Sequence, residues 1–165
     1  SHRMDSIIIR KMIDSDVEEL VAIACAAWTP IYEFRQQTLG DELFTLVHEN
    51  WQEDKSEQIR SACRRRDTVD VWVAEEDGKP VGFVTFTCDA NRVGRIGNNA
   101  VHPSCQGRGI ASMLYQRALD EMRARGMRAA RVVTGGDPAH APARRAYEKA
   151  GFGLPLPSVE YFRFL

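Results

Sequence analysis

The sequence predicts an α/β fold in which helices cover both faces of one mixed β-sheet. Segments of strand and helix periodicity follow each other in the order β-α-α-β-β-β-α-β-α-β. The length of 165 residues suits one domain, which we place at residues 4–165. Apolar residues make up 44% of the chain and charged residues 27%, so the protein can bury a core of its own. Residues 1–3, ahead of Met4, look like a remnant of cloning and are set aside.

The first part of the chain predicts one strand and two helical regions. Residues 6–11 contain three consecutive isoleucines, which is typical of a buried strand. Apolar residues then recur at helical spacing from a cap at Asp14 to about Trp28. We expect residues 29–32, which include a proline, to break this helix. A second helical region is predicted over residues 41–66, with a charged interval that interrupts its apolar face.

The middle of the chain predicts three strands. Residues 69–75 and 81–87 are rich in β-branched and aromatic residues, and Asp77-Gly78 between them is a hairpin signal. Residues 94–101 follow as a third strand, ending before His102. The first two of these strands are therefore expected to be antiparallel.

The last part of the chain alternates helices and strands. An amphipathic helix is predicted over residues 109–125, with Gly126 as its C-terminal cap. A short apolar strand over 129–134 and a helix over 141–150 come next. Residues 159–165 alternate between apolar and polar positions, which predicts a terminal strand.

Charge and cysteine spacing exclude several classes of protein. The chain carries 22 Lys plus Arg against 23 Asp plus Glu, so it lacks the positive charge on which nucleic-acid binding depends. Its apolar runs are far shorter than the ~20 residues that cross a bilayer, so we expect no membrane association. The four cysteines have no zinc-site spacing, and we expect reduced thiols and no metal site. A cytoplasmic protein is the resulting expectation.

The strongest chemical signal is a glycine-rich loop between a strand and a helix, Gln106-Gly107-Arg108-Gly109-Ile110-Ala111. Glycines allow backbone amides to approach a bound group, and a helix N-terminus adds unpaired N–H donors with partial positive charge. The loop therefore suits a phosphate or pyrophosphate, although such a loop can also serve only as a turn.

A dinucleotide-binding domain is an alternative for the same loop. Its fingerprint needs a third Gly or Ala where this chain has Ser112, and an acidic residue at the end of the next strand. Thr134 and Gly135 stand at that second place, and the loop follows the fourth predicted strand instead of the first. The dinucleotide alternative is therefore disfavoured.

Three segments resemble successive signatures of the GNAT superfamily of N-acetyltransferases. They are Ala100-Val101-His102-Pro103, the loop Gln106 to Ala111, and Tyr147-Glu148-Lys149-Ala150-Gly151-Phe152. The family's pyrophosphate loop reads Gln/Arg-x-x-Gly-x-Gly/Ala, and Gln106, Gly109 and Ala111 fill its places. The resemblance implies the GNAT fold, in which two middle strands of the sheet splay apart.

The resemblance implies acetyl-CoA as cosubstrate. Its pyrophosphate would bind the loop amides, and its pantetheine arm would pair with the splayed strand. His140 stands where the family usually has Asn against this arm, and it either replaces that Asn or only caps a helix. The cofactor-binding residues implied are Ala100, Val101, Gln106, Gly107, Arg108, Gly109, Ile110, Ala111 and His140.

The family mechanism is direct attack of an amine on the thioester, with a tyrosine that protonates the departing thiolate. Tyr147 matches that tyrosine, and a core aromatic is its structural alternative. Arg95 stands where some members have a Glu base, and arginine cannot accept a proton at neutral pH. The base is then a water held by Asn98 or Asn99, or else Glu33.

The acceptor implied is a primary amine of a small molecule or peptide. Residues placed at the family's acceptor pocket are Trp28, Tyr32, Glu33 and Asn99. Exposed sheet edges in such folds often pair, so a homodimer is possible. The missing Glu at Arg95 leaves a second hypothesis open, a CoA-binding or regulatory module without turnover.

Overall fold

In the computed structural model, which describes residues 6–165, five strands form one mixed sheet in the order of the chain. The first four strands are antiparallel to their neighbours, and the fifth is parallel to the fourth. The cloning remnant proposed at residues 1–3 lies outside the described residues. The strands are β1 Ile7–Lys11, β2 Asp70–Glu76, β3 Lys79–Cys88, β4 Val93–Val101 and β5 Ala129–Arg131.

Helices cover both faces of this sheet, as the sequence predicts. The helices are α1 Val17–Leu39, α2 Asp41–His48, α3 Trp51–Arg64, α4 Ile110–Ala124 and α5 Ala141–Lys149. Successive side chains of a strand point to opposite faces, and Phe83 and Val84 accordingly belong to different clusters. Phe83 packs with apolar residues of α1 and α3, whereas Val84 packs with residues of α4 and with Tyr147 of α5. Two separate cores therefore hold the sheet between its helices.

The predicted break at residues 29–32 is wrong, because α1 runs through Pro30 to Leu39. A proline inside a helix removes one N–H donor but has a helix-compatible φ. The hydroxyl of Thr29 donates to the carbonyl of Cys25, 2.8 Å away, in the turn that the proline disturbs. On the far side of the proline, Tyr32 stacks on Trp51 with ring centroids 4.3 Å apart. Tertiary packing beyond Pro30 thus stabilises a helix that the local sequence disfavours.

The second helical region consists of two helices. They are separated at Glu49 and Asn50, where Asn50 leaves the helical conformation with φ −110° and ψ 38°. The helix is thus interrupted before the charged interval and not within it. α3 begins at Trp51, which is also the first residue of its buried stripe. The stripe continues through Lys55, Ile59 and Ala62, so α3 has its own packing direction against the sheet.

The splay between β4 and β5 creates the main opening in the sheet. Only Val93 to Arg95 of β4 pair with β5. The strand predicted over 129–134 therefore ends at Arg131, where the chain diverges from β4. In the other direction, β3 and β4 contain a bulge in which Gly97 and Asn98 lie opposite Thr85. From Ile96 onward, the edge of β4 that faces away from β3 has no neighbouring strand within residues 6–165.

The terminal strand predicted over residues 159–165 is wrong for the single chain. The segment lies outside the sheet and has no regular secondary structure. A strand needs a partner for its backbone hydrogen bonds, and the edge of β5 does not receive this segment within the same chain. Glu160 instead contacts Arg35 of α1, with 3.3 Å between carboxylate and guanidinium.

Candidate functional site

The loop before α4 has the backbone geometry of an anion site. Gly107 and Gly109 have φ values of 78° and 82°, a left-handed conformation that favours glycine. Gly109 is the N-cap of α4, and no side chain among the described residues caps this helix. The first amides of α4 therefore keep free N–H groups, which together with the helix dipole attract a negative charge. Nothing lies within 4 Å of the space above Gly107, so a ligand can approach the backbone there.

Two side chains of the loop brace it against the sheet. The amide of Gln106 donates to the carbonyl of Val101 over 3.0 Å. The guanidinium of Arg108 makes two hydrogen bonds to Glu76, one of them 3.0 Å long. Because the Arg108 side chain is only 11% exposed and bound to a carboxylate, we expect it to contribute its backbone amide to an anion.

The open edge of β4 runs along the strand towards this loop. Ala100 and Val101 are buried, and they pair with Phe83 and Gly82 on the closed side of the strand. On the open side, the splay from β5 leaves room for an extended chain beside the backbone. Such an edge can bind an arm that carries amide groups, in the manner of an added strand.

A hydrogen-bonded chain of three side chains fixes the Tyr147 hydroxyl. Asn99 of β4 donates from Nδ2 to Tyr147 Oη over 2.9 Å, and Tyr115 of α4 donates to Asn99 Oδ1 over 2.7 Å. Burial raises the pKa of Tyr115 far above its ordinary value, so Tyr115 remains a donor. Since Tyr147 accepts a bond from Asn99, its own proton stays available for another acceptor. The arrangement suits a group that gives a proton away.

His140, at the N-terminus of α5, is held by an acidic neighbour. Its Nδ1 lies 2.6 Å from Asp137 Oδ1, and the edge of its ring meets Trp28 with centroids 5.9 Å apart. Arg144 donates to the carbonyls of Gly135 and Asp137 and so fixes the turn that carries the pair. Nε2 of His140 is the ring nitrogen left for a ligand.

The residues predicted for the acceptor pocket do not form one group. Trp28 and Tyr32 are neighbours on α1, with ring centroids 6.4 Å apart. Glu33 is exposed on the same helix. Asn99 belongs to the Tyr147 chain on the other face of the sheet. The structure thus brings together Trp28 with His140, and separately Asn99 with Tyr147.

Lys55 is a residue that the sequence reasoning missed. Its residue exposure is 5%, and its Nζ lies 3.1 Å from both Gln58 Oε1 and Asn98 Oδ1 and 3.7 Å from the centre of the Trp28 ring. Burial lowers the pKa of this lysine to about 8. A signal for it exists in the sequence, since Lys55 lies four residues from both Trp51 and Ile59 on the buried stripe of α3. Tyr115 was missed in the same way, within the apolar face of α4.

Residues 6–165 contain no cluster of three or more side chains that could hold a metal ion. Within the same range, no helix is long and apolar enough to cross a membrane. The candidate site is thus built from backbone amides, tyrosines, an asparagine, a histidine and a buried lysine.

Solved structures share this fold. The PaiA N-acetyltransferase of Thermoplasma acidophilum, solved with coenzyme A, superposes with a TM-score of 0.73 at 20% identity over 91% of each chain. The enzyme AAC(6')-Iy, in complex with the bisubstrate analogue CoA-S-monomethyl-acetylneamine, superposes with a TM-score of 0.64 at 19% identity over 100% of each chain. Both resemblances concern the arrangement of strands and helices.

Curated relatives match the chain over part of its length. The mycothiol acetyltransferase of Thermomonospora curvata is 33% identical over 95 residues, which are 58% of this chain and 31% of that protein. An uncharacterized N-acetyltransferase of Methanocaldococcus jannaschii is 32% identical over 94 residues, which are 53% of this chain and 41% of that protein. The chain thus spans less than half the length of both relatives.

The family assignment rests on most of the chain. Residues 20–152 match the model of the Acetyltransferase (GNAT) family, a range that includes the loop, the splayed strand and Tyr147. The chain therefore belongs to the GNAT acetyltransferase family.

Proposed function

We propose that this protein transfers the acetyl group of acetyl-CoA to a primary amine of a small molecule or peptide. One observation carries the proposal. The open edge of β4 leads from Asn99, which holds the Tyr147 hydroxyl, to the anion site of the following loop. A proton donor and a phosphate site on one strand edge fit a cosubstrate that has a thioester at one end and a pyrophosphate nearer the other.

The residues present fit coenzyme A. The uncapped N-terminus of α4 and the two left-handed glycines offer N–H donors for a pyrophosphate. The free edge near Ala100 and Val101 suits the amide-containing arm. His140 Nε2 is available for one further hydrogen bond to that arm. The GNAT relatives solved with coenzyme A support this choice of cosubstrate.

In the mechanism that we propose, an amine attacks the bound thioester directly. The β4 backbone supplies N–H donors to the oxygen on which negative charge develops. Tyr147 supplies the proton that the leaving sulfur needs, while Asn99 stabilises the oxygen that loses it. Holding both reactants in the splay replaces a collision in solution by an intramolecular step.

The aromatic residues of α1 favour a cationic acceptor. One face of the Trp28 ring covers Lys55 and one face of Tyr32 stacks on Trp51, so an acceptor ammonium group would meet the remaining faces of these rings. The cytoplasmic location and the extent of the domain, residues 4–165, stay predictions from the sequence.

Binding is tested first by thermal unfolding. Acetyl-CoA is expected to stabilise the protein by about 2.7 kcal/mol at a hundredfold excess over its Kd, because it binds only the folded state. NADH, which also carries a pyrophosphate but has no pantetheine arm, is expected to leave Tm unchanged. Stabilisation by NADH and not by acetyl-CoA would contradict the proposed cosubstrate.

Turnover is tested with a panel of primary amines. Thiol release from acetyl-CoA is followed with spermidine, kanamycin, glucosamine and lysine amide, and the acetylated product is identified by mass spectrometry. Tight acetyl-CoA binding without acetylation of any acceptor would favour the non-catalytic CoA-binding module that Arg95 suggests.

We further propose a homodimer in which the C-terminal segment of one copy extends the sheet of the other. This segment, residues 154–165, is rich in apolar side chains that are exposed, with Leu154 and Leu156 each 96% exposed and Tyr161 89% exposed. The outer edge of β5 is unpaired within the described residues. Edge backbone groups and an apolar extended segment both favour a partner.

The oligomeric state checks this second proposal. Light scattering during gel filtration at micromolar concentration is expected to give twice the chain mass. Deletion of residues 154–165 is expected to give a folded monomer, because this segment lies outside both cores. If the intact chain is a monomer, the proposed extension of one copy's sheet by the C-terminal segment of the other is wrong.

A further inference from the structure

Lys55 is a buried amine without a carboxylate partner among residues 6–165. Its hydrogen bonds go to two neutral side-chain amides, Gln58 and Asn98, and the Trp28 ring covers it from the side of α1. A lysine that served only as a structural anchor would gain most from a carboxylate, because burial of an unpaired charge is costly. Burial disfavours the charged form of Lys55, whereas the two amide oxygens and the face of the Trp28 ring favour it, so the charged and neutral forms compete.

Lys55 and Tyr147 are both held by neighbouring residues of β4. Its partner Asn98 and the partner of Tyr147, Asn99, are consecutive residues of β4. Consecutive side chains of a strand point to opposite faces of the sheet. Lys55 and Tyr147 therefore approach β4 from opposite faces at the same point of the strand. That point lies beyond Arg95, where the splay has opened the edge of β4.

Lys55 lies behind a groove that is open to solvent. A groove of about 710 Å³ lies between α3 and β4, and its lining includes both Gln58 and Asn98. The two amides that hold the Lys55 ammonium group thus separate it from open solvent. A small movement of the exposed Gln58 side chain would connect Nζ with the groove.

We propose that Lys55 is the base on the acceptor side: its neutral amine takes one proton from the ammonium group of the acceptor before the acceptor attacks. This rests on the proposed acetyl transfer. The acceptor nitrogen loses two protons in all while it forms its bond to the acetyl carbon and the carbon–sulfur bond breaks. The first proton goes to Lys55 Nζ and then to water through the groove. The second leaves the nitrogen for water after attack, while Tyr147 protonates the sulfur and regains its proton from water, so one proton is released per turnover.

The titration of Lys55 supports this assignment. Burial lowers its pKa to about 8, so about half of the protein carries the neutral amine at that pH. Cys25 of α1 is the titratable neighbour that acts on it, and a Cys25 thiolate would favour the charged form. Its other contacts, Gln58, Asn98 and Trp28, carry no charge.

The proton affinity of Lys55 is measured without any acceptor. The ¹⁵N signal of its Nζ, assigned with Lys55→Met, is expected to titrate near pH 8. The unfolded state keeps this lysine protonated to higher pH, so the parent protein should gain stability relative to Lys55→Met as pH rises from about 8 to about 10.5. A Lys55 that stays charged above pH 10 would overturn the proposal even if the enzyme acetylates amines.

Kinetics with variants then tests the role itself. Lys55→Met and Lys55→Arg are each expected to lower kcat/KM by roughly 10²-fold or more, since neither can accept the proton. Acetyl-CoA affinity should be unchanged in both. Lys79→Met, at an exposed lysine, is the matched control and should keep parent rates. In the parent, the rising limb of kcat/KM should lie near pH 8 for both glucosamine and lysine amide, whereas in Lys55→Met it should follow the pKa of each acceptor's own amine.

The possible failures remain distinguishable. If Lys55→Arg turns over at the parent rate, or if the rising limb of Lys55→Met stays near pH 8 for both acceptors, Lys55 is not the base although the transferase proposal stands. If no amine in the panel is acetylated while Lys55 titrates near pH 8, acetyl transfer is the proposal that fails, and the base role falls with it.

Discussion

Replacement of Tyr147 by phenylalanine is expected to lower kcat by roughly 10²- to 10⁴-fold, the range typical of general acid catalysis. The change keeps the ring, which is 7% exposed and packs against Tyr115 with centroids 5.0 Å apart. It removes only the hydroxyl that accepts from Asn99. Asn99 Nδ2 keeps its second acceptor, the carbonyl of Gly97 at 2.9 Å, so the local fold should persist.

Steady-state kinetics with an acceptor from the panel, together with calorimetric measurement of acetyl-CoA affinity, checks this result. Tyr161→Phe makes the same chemical change in the C-terminal segment, outside the proposed acetyl-CoA site, and should be silent because the ring is kept. Tyr115→Phe should give a smaller loss than Tyr147→Phe, because Tyr115 acts only through the orientation of Asn99. A Tyr147→Phe enzyme with the parent rate, when chemistry is rate-limiting, would assign Tyr147 to packing and leave protonation to solvent.

Replacement of Gly109 by valine is expected to weaken acetyl-CoA binding by about 10- to 100-fold, the equivalent of one lost charge-assisted hydrogen bond. Gly109 has φ 82° and ψ 8° at the start of α4. A β-branched residue does not adopt this conformation readily, so the loop must shift and carry its amides away from the phosphate position. We also expect the added side chain to intrude on the bound phosphate.

Gly78→Val is the matched control, because Gly78 has φ 79° in the β2–β3 turn, away from the loop. Both substitutions should destabilise the fold by about 1–2 kcal/mol through the same backbone strain. Only Gly109→Val should alter affinity in calorimetry. Gly109→Ala serves if the valine variant does not fold. Unchanged acetyl-CoA binding in a folded Gly109 variant would show that the loop is only a turn.

Local sequence patterns determined the elements that depend on short-range physics. Runs of β-branched and aromatic residues located β2 and β3, and Asp77-Gly78 located their turn. The glycine-rich loop before α4 could be recognised because its backbone conformation depends on residues within the loop itself. The Tyr147 prediction came from family resemblance, and the structure adds the Asn99 and Tyr115 contacts that favour its role.

Other features were decided only by tertiary structure, because they depend on residues far apart in the chain. Pro30 remains inside α1 since packing of Tyr32 on Trp51 outweighs a local break. Residues 159–165 have strand periodicity, but a strand also needs an edge to pair with, and the single chain supplies none. Lys55 reads as an ordinary helical lysine until α3 places it against Asn98, 43 residues away. Lysine usually lies on the surface of a protein. Burial and the contact with a residue distant in the sequence make Lys55 a candidate base, and composition shows neither.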